Sequence, residues 1–417
     1  MTAIAYIANQ FPSPVEPYVT AEIQELRRRG IEVIPCSAHR GYEDLAGDLK
    51  QIATETLYLQ PVRIWLLLQA LWLCFRQLPL LSDFLKRALL GGRETFSQRL
   101  RALMHTWLGA YYALLLKERE IQHIHAHHGY FSSWVAMVAA KLLGAGFSFT
   151  LHGSDLLLHR AWLDLKLRHC DFCFTISEYN RRHILRNYAH VDPAKIIVQR
   201  LGVSVHESKS IGLAKNDRFT LLAVGRLHAV KDHAFLLRAC NELISREVPV
   251  TCWIAGEGPE RSALEQLIAE LELYANVHLL GHLSQAQLDV CYHNADLVVS
   301  TSQSEGIPLA LMDAMGRGKA VLAPRITGIP ELVSDGISGF LYEAGSMEDF
   351  LRQIESIGLN QNLASIAEAG RRHVGEHFDQ CKNVKEFADR FLHEIHCKHP
   401  TRNGEATSHA HSLLQQI

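Results

Sequence analysis

Two carboxylates, Glu305 and Asp313, stand eight residues apart around the run Gly306-Ile307-Pro308-Leu309. Pro308 suits the first turn of a helix, where a missing N–H is no loss. The apolar residues 297–300 ahead of the loop read as a strand. A strand, a loop and a helix N-terminus offer backbone N–H groups, including those of Ile307 and Leu309, to an anion. The two carboxylates would then be free to accept hydrogen bonds from sugar hydroxyls. Upstream, Arg226 and Lys231 lie just beyond a second apolar strand, 219–224. Two fixed cations there could stabilise a diphosphate as it departs with growing negative charge, without a metal. His152 follows the strand-like run 147–151 and precedes Gly153-Ser154-Asp155. The alternatives are plain ones: a solvated loop acid, an ordinary helix acid, a surface cation pair and a structural strand-end histidine.

These groups need a frame, and the spacing predicts one. Residues 2–7 read as a first strand, 9–17 as a loop whose prolines forbid helix, and 18–29 as a helix with Val19, Ile23 and Leu26 on one stripe. Gly30 ends that helix before the strand 31–35. The result is a βαβ unit with its loop at the carboxyl edge of a parallel sheet, where Glu16 serves either the helix dipole or a ligand. The strand 195–201 closes a first α/β domain, 1–205, and the polar stretch 206–217 reads as a linker. A second βαβ series runs over 218–375, with Gly256 and Gly258 in the turn after the strand at 252–255. A last helix, 376–396, is expected to cross back to the first domain, and 397–417 to be a disordered tail.

Residues 57–117 form a helical insertion of two runs, 58–75 and 84–116. The first holds Trp65, Trp72 and Phe75 between Arg63 and Arg76 but is too short to span a bilayer. It is either buried in the domain or laid on a membrane surface, with Lys86, Arg87, Arg93, Arg99 and Arg101 of the second run facing anionic headgroups. Farther on, His123, His125 and His127 alternate along 121–127 and would share one face of a strand, which makes them a candidate zinc triad. Cys170 and Cys173 form a C-x-x-C with no second pair and read as structural thiols.

The chain has 417 residues, enough for two cores, and is 48% hydrophobic and 21% charged. A net charge of −2 argues against nucleic-acid binding as a primary role. Nine scattered cysteines and no secretory leader point to reduced thiols in a cytoplasm.

The run Glu305-Gly306-x-Pro308-x-x-x-x-Asp313-Ala314-Met315-x-x-Gly318 resembles the acidic signature of the retaining glycosyltransferases with two Rossmann-like domains (GT-B), the group often called family 4. Gly225-Arg226-Leu227-x-x-x-Lys231, Gly256-x-Gly258-Pro259, Thr150-x-His152-Gly153-x-Asp155 and Gly328-Ile329-Pro330-Glu331 are similar to further elements of that family. Asp313 stands where the family usually has Glu, and Asp232 where it has Gly. The first loop resembles that of exopolysaccharide-building members, keeping Glu16 and the aromatic Tyr18. The resemblance implies an α/β protein of two Rossmann-like domains facing across a cleft. It implies a nucleotide diphosphate sugar (UDP- or GDP-linked) as donor substrate and a glycan or lipid-linked acceptor, reached from the cytoplasm or peripherally at the inner membrane face. No permanent cofactor and no metal are expected. It gives Arg226 and Lys231 the diphosphate, Glu305 the sugar, Asp313 the ribose, and Gly256 and Gly258 the neighbourhood of the base. It puts His152 at the reacting centre, with Glu16, His127 and Asp155 on the acceptor side. A sugar-nucleotide-binding module without activity, or an epimerase of the same fold, would share most of these features.

Overall fold

The computed structural model describes residues 3–398 except 14–15, 42–46, 93, 159–160, 206–217 and 359–361. The expected linker and nearly all of the expected tail therefore lie outside the described residues. The chain divides into two compact units. The first comprises Met1–Ile176, Asn180–Gln199 and the chain from Val384 onward; the second comprises Ser177–Tyr179 and Arg200–Asn383.

The first unit is built on a parallel sheet of seven strands. These are β1 (Ala3–Gln10), β2 (Glu32–His39), β3 (Leu57–Tyr58), β4 (Ile121–His127), β5 (Gly146–Leu151), β6 (Phe172–Thr175) and β7 (Ile196–Val198), in the order β3-β2-β1-β4-β5-β6-β7. β1 and β2 run longer than their apolar cores suggested, because parallel pairing carries Ala8, Gln10, Ser37 and His39 into the ladder. β7 is shorter, three residues in place of seven. Near-continuous burial along β1 and β5 fits a sheet covered on both faces.

The second unit repeats the plan with six strands: β8 (Phe219–Val224), β9 (Val250–Ala255), β10 (Val277–Gly281), β11 (Leu297–Val299), β12 (Val321–Pro324) and β13 (Phe340–Tyr342). Their order, β10-β9-β8-β11-β12-β13, and parallel pairing are those of a Rossmann fold. In each sheet the order reverses at one place, beside β1 and β4 in the first and beside β8 and β11 in the second. A helix, Gln380–Lys398, begins in the second unit and from Val384 packs Phe387 and Phe391 into the first unit's core with Tyr6, Phe172 and Phe174.

The insertion departs from the expected two runs. It forms three helices, Ile64–Arg76, Leu78–Leu90 and Phe96–Leu116. The break falls at Gly91 and Gly92, after which Thr95 and Gln98 make a capping box that starts the third helix. Only the third is extensively buried, through Tyr111, Tyr112 and Leu116. The first presents Trp65 at 73% exposure, Trp72 at 47% and Phe75 at 63%, while Ala70 and Leu73 pack into the core, so this helix is buried along one face and not on most sides. Arg87 is held by Glu94 and Asp164, and Arg99 donates to the carbonyls of Ala88 and Leu89. Arg99 thus serves the insertion itself and Arg87 also ties it to Asp164 beyond it, while Arg63, Lys86 and Arg101 remain exposed and Arg93 lies outside the described residues. Among the described residues no single helix is long and apolar enough to cross a membrane. The first two helices together would pass by length and composition but meet at a bend of 89°.

Candidate functional site

In the second unit the carboxyl ends of β8 and β11 flank the point where strand order reverses, the place where open α/β sheets bind ligands. Lys231 follows β8 and Glu305 follows β11, and Lys231 Nζ lies 2.5 Å from Glu305 Oε1. Ser302 Oγ donates to the same oxygen at 2.7 Å. The two loops are lashed together: Thr301 Oγ1 donates to the carbonyls of Lys231 and Asp232, and the Gln303 N–H to that of Val230. Asp232, which replaces the family's Gly, adopts φ +49. Its side chain accepts from the Phe235 N–H at the start of helix His233–Ser245 and from Gln303 Nε2, so hydrogen bonds offset the left-handed backbone. Arg226 sits exposed on the loop after β8.

Helix Leu309–Gly316 has Pro308 as its N-cap rather than in its first turn, and among the described residues no side chain caps it. Its opening N–H groups are thus not claimed by a side chain, as an anion seat requires. Ile307 is buried beneath the loop. The Glu305-Gly306 backbone is fixed from below, since Thr327 Oγ1 donates to the Glu305 carbonyl at 2.5 Å. A Cβ on Gly328 would stand 2.3 Å from the Gly306 oxygen. Gly256 and Gly258 do a similar task. A Cβ on either would strike the Gly225 or Leu227 carbonyl, at 1.9 and 2.3 Å, so both let the loop carrying Arg226 come close. Asp313 does not stand free: Arg317 Nη1 binds its Oδ1 at 3.0 Å while the same guanidinium reaches Asp289 and covers the Tyr292 ring.

In the first unit, His123, His125 and His127 share one face of β4, as alternation requires, but do not act as one set. His123 stacks on Phe172 and bonds Ser148; His125 uses both ring nitrogens on Ser148 and Thr150. Glu22, His125 and His127 bring one donor atom each within 4.8 Å of one another. A metal there would have to replace the bonds of His125 to Ser148 and Thr150 and of His127 to Glu22, so the triad reading of 123, 125 and 127 gives way to hydrogen-bonded core histidines. Cys170 and Cys173 are buried, with the Cys170 thiol pushed up to about 12 by burial.

Around His152 the charges are ordered. Asp155 is buried and accepts from the backbone N–H groups of Gly129, His152 and Gly153. Burial opposes its charge, but the close positive charge of His128 and the backbone N–H bonds hold it well below the usual carboxylate range. His128 was not singled out from the sequence. Its Nε2 lies 2.8 Å from Glu16 Oε1 and its Nδ1 3.8 Å from Asp155 Oδ2. Burial works against protonation, yet these partners raise it to about 10, so it is an imidazolium at neutral pH. Glu16 thus spends its carboxylate on His128 rather than on capping its helix, and is held below its ordinary value against the pull of burial. His127 is lowered to about 3 by burial and by the His128 charge. His152 is driven well below its ordinary value by the same two causes. The other residue missed from sequence is Glu22, buried on the helix Pro17–Arg28 and 3.0 Å from His127 Nε2. Its signal was present: an acid at the i+3 place of the stripe Val19, Ile23, Leu26.

Comparison with known proteins covers both units. The family described as Glycosyltransferase Family 4 matches residues 15–207, and that described as Glycosyl transferases group 1 matches 205–373. An uncharacterized glycosyltransferase of Methanocaldococcus jannaschii is 25% identical over 69% of this chain and 72% of its own. The UDP-Gal:alpha-D-GlcNAc-diphosphoundecaprenol alpha-1,3-galactosyltransferase of Escherichia coli is 25% identical over 67% of this chain and 77% of its own. Among solved structures, the Anabaena HepE protein in complex with UDP and glucose superposes with a TM-score of 0.68 at 19% identity, covering 94% of this chain and 100% of that one. With the two family matches meeting near residue 206 and the fold shared with solved glycosyltransferases, the chain is a hexosyltransferase-type glycosyltransferase of the group 1/family 4-like GT-B fold.

Proposed function

We propose that the chain moves a hexose from a UDP-linked donor to a hydroxyl of a lipid-linked glycan, retaining the anomeric configuration, in the building of a surface polysaccharide. The observation that carries this reading is the Lys231–Glu305 pair at the β8/β11 reversal point, beside a helix N-terminus that no side chain caps. When a nucleotide diphosphate enters, Lys231 and Arg226 turn to its phosphates and Glu305 is released to accept hydrogen bonds from the sugar. As the bond from C1 to the phosphate oxygen breaks, the cations hold the developing charge. The acceptor oxygen bonds to C1 on the face the diphosphate leaves, and its proton passes to the departing phosphate. His152, kept neutral by burial and by His128, acts on the sugar being transferred and Asp155 fixes its backbone. Asp313 reaches the ribose only by sharing its carboxylate with Arg317.

UDP is favoured over GDP as donor because the Escherichia coli relative is named for UDP-galactose and HepE was solved with UDP. The lipid-linked acceptor is supported by the same relative, named for a diphosphoundecaprenol-linked sugar, and by the exposed Trp65, Trp72 and Phe75. That apolar face would lie on the cytoplasmic face of the membrane, peripherally. An inactive binding module is disfavoured because His152, Arg226, Lys231 and Glu305 are all retained. The test is thermal stability against UDP-, GDP-, ADP- and CDP-linked sugars for the wild type and Lys231→Ala. Mass action raises the melting temperature with the true donor. A shift with UDP-sugars that Lys231→Ala loses supports the reading; no shift with any of the four refutes it.

A further inference from the structure

Behind His152 runs a buried chain of three titratable side chains. Glu22 Oε2 lies 3.0 Å from His127 Nε2, and His127 Nδ1 lies 3.2 Å from His152 Nε2. Glu22 and His127 are almost fully buried, and Tyr6 Oη donates to the same Glu22 oxygen at 3.5 Å. The far nitrogen of His152, Nδ1, is buried with no hydrogen-bond partner among the described residues. The His128 ring lies 4.5 Å from that of His152 and the Tyr18 ring 4.7 Å, so a cation and an aromatic face flank it. His125, 5.2 Å from His127, is already committed to Ser148 and Thr150 and takes no part.

A neutral imidazole has one N–H, and the partner of one nitrogen decides which nitrogen carries it. Among the described residues His152 Nε2 bonds only His127, and His127 Nε2 only Glu22, so the choice is made at Glu22. We propose that Glu22 is a positioning residue for the transfer: its carboxyl O–H donates to His127 Nε2, His127 Nδ1–H donates to His152 Nε2, and His152 therefore carries its proton on Nδ1. That nitrogen then meets an oxygen of the sugar or the acceptor hydroxyl as a hydrogen-bond donor. Burial of Glu22 holds its carboxyl well above the ordinary range, against the Tyr6 hydrogen bond, which keeps the donating proton in place. The inference rests on the reading that His152 acts at the transferred sugar, but the state of its ring is observable without any substrate.

The test uses the full chain labelled with 15N-histidine, as wild type, Glu22→Gln and Glu22→Met. Ring 15N shifts report the tautomer of His152, assigned by loss of its signals in His152→Gln. The Gln amide still donates to His127, so Glu22→Gln should keep the Nδ1–H form and hold kcat within about 3-fold, whereas Glu22→Met should lose that form and lower kcat by about 10-fold or more with the donor KM unchanged. Near-UV circular dichroism, to which the buried Trp134 and Trp162 of the same unit contribute, serves as the folding control. An Nε2–H ring in the wild type, or one tautomer common to all three proteins, overturns the proposal. So does a tautomer change in Glu22→Met with no fall in kcat. If Glu22→Met fails the folding control, Glu22→Gln decides alone: loss of the Nδ1–H form there overturns the proposal, and its retention supports it. Tautomer coupling in a wild type that transfers no sugar would instead refute the function of the site, not the relay.

Discussion

At the scale of residues, the chemistry is carried by pairs that spacing suggested singly. Arg226, Lys231 and Glu305 could each be placed at a strand end from the sequence, but not the contact between Lys231 and Glu305, which spans 74 residues and depends on β8 lying next to β11. Lys231→Ala is expected to weaken UDP binding by about 10- to 100-fold, the worth of a charge-assisted bond to phosphate, as calorimetric titration would show. Glu22 and His128 were illegible for a similar reason. Their partners His127 and Glu16 lie 105 and 112 residues away, and nothing local distinguishes a buried acid with a partner from one on an imperfect apolar stripe. The His128 imidazolium also carries a stability prediction. Its value is raised in the folded chain, so its contribution is complete below its ordinary value near 6.5 and disappears as pH rises through about 10. His128→Gln should therefore cost about 3 kcal/mol at pH 6 and progressively less towards pH 10, read from urea midpoints of wild type and variant at each pH.

Among elements, strands and the helices on regular apolar stripes were readable, and turns were not. β8 falls where the sequence put it because its apolar run ends at Gly225. The insertion was misread as two runs because its leucines continue past Gly91 and Gly92, and only the capping box at Thr95 marks the restart. Its first helix exposes its tryptophans, and with Arg87 and Arg99 engaged internally the proposed membrane contact would rest on apolar surface more than on charge. Paired Trp65→Glu and Trp72→Glu substitutions should abolish flotation with phosphatidylglycerol-containing vesicles while changing stability by less than about 0.5 kcal/mol, as exposed sites do. Retained flotation would remove the membrane role. Gly258 belongs to this scale too, since a methyl there meets the Leu227 carbonyl and must move the loop that bears Arg226. Gly258→Ala should destabilise by about 1–3 kcal/mol in chemical denaturation and weaken UDP binding.

On the scale of the whole molecule, the strand orders of the two sheets explain why the loops after the first and fourth strands of each carry Glu16 and His128 in one and Lys231 and Glu305 in the other: β1 and β4, and β8 and β11, flank a reversal point, with His152 and Asp155 following the neighbouring β5. The alternation of strands and helices made two Rossmann-like sheets legible. Which loops meet at the reversal points required the strand order, which periodicity does not encode. The account's central claim, breakage of a donor glycosidic bond with retention, can be tested without knowing the acceptor, by letting water take its place. Proton NMR of the sugar first released from a UDP-α-linked hexose, recorded before mutarotation, reads the outcome. The account predicts the α-anomer first, and none from Lys231→Ala at the same donor concentration. Release of the β-anomer, or no cleavage of any donor that binds, would contradict it.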